Sequence, residues 1–188
     1  MSWMIVSDSS CELRTLSNAA PGVAFSTVPL KIRVGEREFV DNAALDVDSM
    51  IEAMHNFNGA STTACPSPEE WAEKFLMADQ VLAVTISSNL SGSYNSAMVA
   101  RDMVLENHPE KKIHVLDTLS TGGEMTLAIW KANDLIAQAQ AKFKEMRKAS
   151  NDYVDDLMRR TDESLSENLA ELRKTRQNIK SSQRNSQI

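Results

Sequence analysis

All six glycines and all five prolines fall at or before Gly123, and the last 65 residues contain neither. These two residue types are the strongest local interrupters of regular structure. The chain can therefore turn often up to Gly123 and has no ready means of turning beyond it. Charge changes at the same place: residues 1–125 carry 8 basic and 17 acidic side chains, and residues 126–188 carry 12 and 9. Two architectures in succession are expected, an α/β domain over residues 1–135 and a helical extension, capable of coiled-coil pairing, over 136–188.

The first part alternates strand and helix signals. Trp3 to Val6 is a short apolar run ending in Ser7-Asp8-Ser9-Ser10. Val23 to Ile32 is a longer β-prone stretch, with Arg37 to Val40 suited to pair beside it. Val47, Met50, Ile51 and Met54 recur at helical spacing within Asp46–Met54. Ser67-Pro68-Glu69-Glu70 combines a cap, a proline at the first position and acids near the positive helix end. Trp71, Phe75 and Leu76 are expected to form that helix's buried face. Gln80–Ile86 and Lys112–Leu116 read as strands, Leu90–Glu106 reads mostly as helix, and a further helix is expected from about Thr121. Strands separated by helices imply a mainly parallel sheet with helices on both faces.

The second part has no strand signal. Phe143, Met146, Tyr153, Val154, Leu157, Leu165, Leu169, Leu172 and Ile179 form one apolar stripe, and Leu165, Leu172 and Ile179 lie seven apart. Unbroken from Thr121 to Ser182, this helix would be roughly 90 Å long. Ser150 and Thr161 interrupt the stripe, which leaves two shorter helices open. The polar end from Ser181 is expected to fray. A long apolar stripe calls for a partner, either the sheet edge or a second copy of the chain.

The net charge of −6 argues against a general nucleic-acid binder. Cys11 and Cys65 make no metal-ligand spacing and are expected to be reduced, in a cytoplasmic protein. No stretch approaches the roughly 20 apolar residues of a membrane span. Dinucleotide and P-loop glycine patterns and a nucleophile elbow are missing. His55, His108 and His114 are isolated, and no general base neighbours the serine clusters. No catalytic or metal-binding residue and no cofactor is expected.

Three strands end in oxygen-rich turns, Asp8-Ser9-Ser10, Ser87-Ser88-Asn89 and Asp117-Thr118. In an open parallel sheet, ligands bind outside the carboxyl ends of the strands, so the three turns should share one edge. Ser87 to Tyr94 offers several hydroxyls just before a helix, whose free N–H groups and positive end suit an anion. Gly92 would let a ligand approach the backbone. The same serines could serve only to cap the helix and shape the turn. Thr62 to Pro68 reads as an extended loop, because residues before proline avoid the helical region.

Five ordered segments resemble the N-terminal domain of the DegV family. They are Val6 to Leu13; Val28-Pro29-Leu30 with Phe39-Val40-Asp41; Thr63-Ala64-Cys65-Pro66-Ser67-Pro68; Ser87 to Tyr94; and Asp117 to Glu124. Order and spacing agree across residues 3–135. The resemblance implies a protein that binds a long-chain fatty acid in a tunnel between two domains. It also implies presentation of the acyl carboxylate to a partner kinase, which phosphorylates it with ATP, so that the chain itself is a carrier and not an enzyme. By position, Thr63 and Ser91 match the family's carboxylate ligands, and Asp8, Ser88 and Gly92 would line the same edge. Ala64 and Asn89 depart from the family's usual Ser and Gly. The family's second domain, which completes the tunnel, has no counterpart here, so weak binding or none by this chain alone is expected. Ala149 to Leu157, continuing to Gln177, resembles helices of bacterial coiled-coil proteins related to ATP synthase subunit b or to cell-division initiation proteins. Together the two resemblances imply a truncated or fused chain. The alternative function is that of a helical interaction or oligomerisation protein with a vestigial α/β part.

Overall fold

The computed structural model describes residues 2–185. The chain divides into two compact units, Met1–Ala137 and Gln138–Ile188.

In the first unit, strands β1 (Trp3–Asp8), β2 (Val23–Val28), β6 (Gln80–Thr85) and β7 (Lys112–Asp117) form a parallel sheet in the order β2-β1-β6-β7. Its central strand β1 shows why a parallel sheet needs cover on both faces. Ile5 and Val6 are both fully buried, yet successive side chains point to opposite sides. Met4 and Val6 join the cluster made with Trp71, Phe75, Ala97 and Ala100. Ile5 joins Val84, Met125 and Ile129 on the other face.

The first face is covered by helices α2 (Pro68–Phe75) and α3 (Ser93–Asn107). Helix α2 starts as its sequence predicts. Ser67 Oγ accepts from Glu70 N–H at 3.3 Å, while Glu70 Oε2 accepts from Ser67 N–H at 2.7 Å. Trp71 and Phe75 pack with ring centroids 5.8 Å apart. Leu76 departs from expectation: the helix ends at Phe75, so Leu76 falls at the cap and is 47% exposed. The second face is covered by the start of helix α4 (Gly123–Asn185). Buried Asn133 on α4 is satisfied there, accepting from Ala20 N–H at 2.7 Å and donating to Asn18 O at 2.9 Å.

The stretch Val23–Ile32 is not one strand. Val28 closes β2, Pro29-Leu30 make a corner, and the chain re-enters as β3 (Lys31–Val34) in a separate antiparallel sheet. There β3 lies between β4 (Arg37–Val40) and the short β5 (Thr62–Ala64). Helix α1 (Val47–Asn56) is capped by Asp46 but buries none of its residues, so Val47, Ile51 and Met54 stay exposed.

Beyond Ala137, α4 runs on without a break. Neither Ser150 nor Thr161 divides it, and the Thr161 hydroxyl turns inward to donate to Leu157 O at 2.8 Å. Ser181 is likewise helical and bonds to Gln177 O at 3.0 Å. Residues 186–188 of the expected frayed end lie outside the described residues. Arg159 bridges Asp156 and Glu163 along this unit, and the stripe from Phe143 to Ile179 is exposed. Among the described residues no helix is long and apolar enough to cross a membrane.

Candidate functional site

The parallel order places the carboxyl ends of β1, β6 and β7 on one edge, with the turns after them interlocked. Ser87 N–H donates to Ser120 O at 2.9 Å, and Gly122 N–H donates to Ser10 O at 3.0 Å. Gly122 has φ +61°, a conformation side chains rarely adopt. Leu119 also has positive φ (53°), held by its N–H bond to Asp117 Oδ1 at 3.1 Å. Asp117 Oδ1 accepts from Ser88 N–H as well, at 3.1 Å. The Ser88 hydroxyl first, then the Leu119 and Ser88 N–H groups, hold the Asp117 carboxyl below its ordinary range against the upward push of burial.

The five residues expected at the site take distinct places. Asp8 is fully buried and forms the floor of the edge, not its lining. Its Oδ1 accepts from Ser10 N–H at 3.3 Å and bonds to the Ser10 hydroxyl, while Oδ2 accepts from Ile86 N–H at 2.9 Å and the Ser93 hydroxyl at 2.7 Å. Ser88 and Gly92 are exposed on the second turn. Ser91 is half-buried there, and its Oγ accepts the Ser93 N–H at 3.2 Å. No described residue accepts the Ser91 hydroxyl proton, which leaves it available to an acceptor. Gly92 stands at the N-cap of α3, and no side chain caps that helix. The serines of this turn therefore do not cap α3; Ser87 Oγ accepts the Asn89 N–H at 3.2 Å and, with Ser91, shapes the turn.

Thr63 lies on β5, exposed, in register with Ile32 of β3, which is itself in register with Phe39 of β4. Paired residues share a face, so the Thr63 hydroxyl sits beside an apolar strip. A groove of about 160 Å³ adjoins it, lined by Lys31, Arg33, Glu38, Thr62, Thr63 and Ala64. The loop after β5 is tied to the head of α3. Ser96 Oγ donates to Pro66 O at 2.5 Å, and a Cβ at Gly92 would meet Cys65 Sγ at 3.2 Å. The space left by Gly92 is thus taken up by Cys65. Lys31 and Glu70 pair at 2.8 Å and join β3 to the start of α2. This bond raises the Lys31 pKa; for Glu70, burial pushes upward but Lys31 and the Ser67 N–H prevail and lower it.

The structure therefore ties the loop that follows the Thr63 strand to the start of α3, next to the Ser91 turn, with Asp8 beneath that turn. Ser9 and Ser93 were not singled out from the sequence. Ser9 Oγ accepts from Leu30 N–H at 3.0 Å and fixes the corner leading to β3. Ser93 is the first residue of α3 and carries the bond to Asp8. Their signal was position, directly after a strand and at a helix start. Among the described residues no group of acidic, His or Cys side chains could hold a metal ion.

A family model described as "Uncharacterised protein, DegV family" matches residues 2–161. A DegV domain-containing protein of Streptococcus pneumoniae (strain ATCC BAA-255 / R6) is 46% identical over 155 residues, which cover 82% of this chain and 55% of the relative. Another, from Streptococcus gordonii, is 49% identical over 137 residues, covering 73% and 49%. The chain thus spans about half the length of these relatives. Among solved structures, the Streptococcus pneumoniae fatty acid kinase (Fak) B3 protein loaded with linoleic acid matches with a TM-score of 0.72 and 47% identity, covering 74% of this chain and 50% of that one. A DegV family protein from Eubacterium eligens loaded with heptadecanoic acid matches with a TM-score of 0.68 and 37% identity, covering 73% and 49%. The family match runs through both sheets and all three interlocked turns, and continues into α4; this chain belongs to the DegV family.

Proposed function

We propose that this chain is the carboxylate-binding half of a long-chain fatty-acid carrier that acts in the cytoplasm and presents its ligand to an ATP-dependent partner kinase. The observation that carries the reading is the likeness, at 47% identity and a TM-score of 0.72, to a fatty acid kinase B protein loaded with linoleic acid. The local geometry supports it. Ser91 offers an uncommitted proton beside the uncapped start of α3, where N–H groups favour an anion. Thr63 offers a second hydroxyl next to an apolar strip suited to the first carbons of an acyl chain. Thr63 and Ser91 would donate to the carboxylate, and Ser88 and Gly92 would line its approach. The chain is a carrier in this reading, and the chemical step belongs to the kinase.

These 188 residues supply one wall for the acyl chain. Apolar area left in water forfeits about 25 cal/mol per Å², so the affinity of this chain by itself is weak. Native mass spectrometry during titration with linoleic acid tests the reading. A one-to-one adduct that forms with the acid, and is weakened in Ser91→Ala and Thr63→Ala, supports it. An adduct indifferent to both substitutions, or none at any soluble concentration, refutes it. The exposed stripe from Phe143 to Ile179 gives the second unit a surface for pairing with another copy. Sedimentation velocity over a hundredfold concentration range would read that pairing as a rising mass.

A further inference from the structure

We infer that Asp8 is a positioning residue that aims the Ser91 hydroxyl without touching the ligand. This rests on the carboxylate-binding reading of Ser91. Asp8 is fully buried, and both its oxygens are engaged, which leaves it no part in direct contact. A cap of its own turn would need only the bonds to Ser10. The other two reach 78 and 85 residues along the chain, to the Ile86 N–H just past the end of β6 and the Ser93 hydroxyl that begins α3. They pin both ends of the turn that carries Ser91. The coupling to Ser91 is then one residue long. Ser93 is held through its hydroxyl by Asp8, and its N–H, 3.2 Å from Ser91 Oγ, occupies one lone pair of that oxygen. With a lone pair taken, the Ser91 O–H proton is restricted to the remaining directions, as a preorganised donor requires.

The arrangement makes one isosteric change unusually informative. Each Asp8 oxygen accepts one backbone N–H, from Ser10 on Oδ1 and from Ile86 on Oδ2. In Asp8→Asn, either orientation of the amide turns its NH₂ toward one of those N–H groups, and a backbone donor cannot rotate away. The turn must shift. Ser93→Ala is the milder variant, because it removes only the middle hydroxyl and leaves both backbone donors satisfied.

The test measures affinity for linoleic acid and for linoleyl alcohol, which shares the chain and lacks the charge, in wild type, D8N, S93A, S91A and the D8N/S91A pair. Amide hydrogen exchange at Ser91 and Ser93 is followed by NMR in the same proteins. The expected result is a fall of about tenfold or more in the acid-to-alcohol affinity ratio for D8N and S93A, the size of one charge-assisted hydrogen bond. Alcohol affinity should hold steady, amide protection should drop, and D8N should add nothing to the ratio once Ser91 is gone. If S91A loses the ratio while D8N and S93A keep it, the positioning role is overturned and the carboxylate reading stands. If S91A itself keeps the ratio, or wild type binds neither ligand, the carboxylate reading fails first. Exchange at Ser91 and Ser93 then still decides the structural half: unchanged protection in both D8N and S93A overturns the link from Asp8. Should D8N not fold, S93A carries the ratio and exchange outcomes, and an S93A/S91A pair replaces D8N/S91A.

Discussion

Thr63 and Ser91 come from segments nearly thirty residues apart in sequence, and the proposed function has them meet on one carboxylate. That meeting can be measured as an energy. A hydrogen bond to a charged group contributes about 1.5–3 kcal/mol. Thr63 is exposed and Ser91 half-buried, so the lower end applies. Thr63→Ala should weaken linoleic acid binding about tenfold. Ser91→Ala should cost more, about ten- to thirtyfold, because it also strips the Ser93 N–H of its acceptor. The double variant is the decisive one. If both hydroxyls hold the same carboxylate, removing one lets the ligand shift, and the second removal then costs less. Residues that share a partner show interaction energies of about 0.5–3 kcal/mol, while independent sites add to within about 0.3–0.5 kcal/mol. Calorimetric or fluorescence titration of the four proteins closes the cycle. Additive losses would mean that Thr63 and Ser91 do not share a ligand, and the two-hydroxyl site would have to be abandoned.

Other consequences concern the scaffold that carries this edge. Ser67→Ala removes the reciprocal cap of α2 and should cost about 1 kcal/mol in chemical denaturation, with Ser67→Gly closer to wild type. The indole N–H of Trp71 is buried without a partner among the described residues. Trp71→Phe should thus cost under about 1 kcal/mol, since relief of an unpaired donor, about 1–3 kcal/mol, offsets the small cavity, whereas Trp71→Ala should cost about 3–5 kcal/mol. A large loss in Trp71→Phe would show that the indole has a partner after all. Asp117 has its folded pKa below the unfolded one, so its contribution is present at neutral pH and is lost as pH falls through the folded value. Asp117→Asn should therefore destabilise at pH 7, and the gap from wild type should narrow below about pH 3.9; a gap that is constant with pH would contradict the assignment.

Local signals in the sequence were enough for the start of α2, where Ser67-Pro68-Glu69-Glu70 specifies its own cap, and for the placement of three polar turns on one sheet edge. What escaped was non-local. Thr62–Ala64 carries no strong strand signal of its own and becomes a strand only because β3 is there to pair with it. Asp8 sits in a polar run that looks solvent-facing, and its burial depends on partners 78 and 85 residues away. Ser150 and Thr161 looked like breaks in the long helix, but a threonine that bonds back to the preceding turn is compatible with one. Thr63 and Ser91 themselves were identified by family resemblance. Spacing alone left their serine-rich turn divided between capping and anion binding.

The contact between Cys65 and Gly92 makes the molecule its own reporter. Cys65 is half-exposed, at the junction of the Thr63 segment and the Ser91 turn, whereas Cys11 is fully buried and burial pushes its thiol pKa up. A thiol reagent added to the native protein should therefore modify one cysteine quickly and the other hardly at all. The rate at Cys65 becomes a measure of how open that junction is, and anything that covers it should slow the reaction, with no substitution introduced.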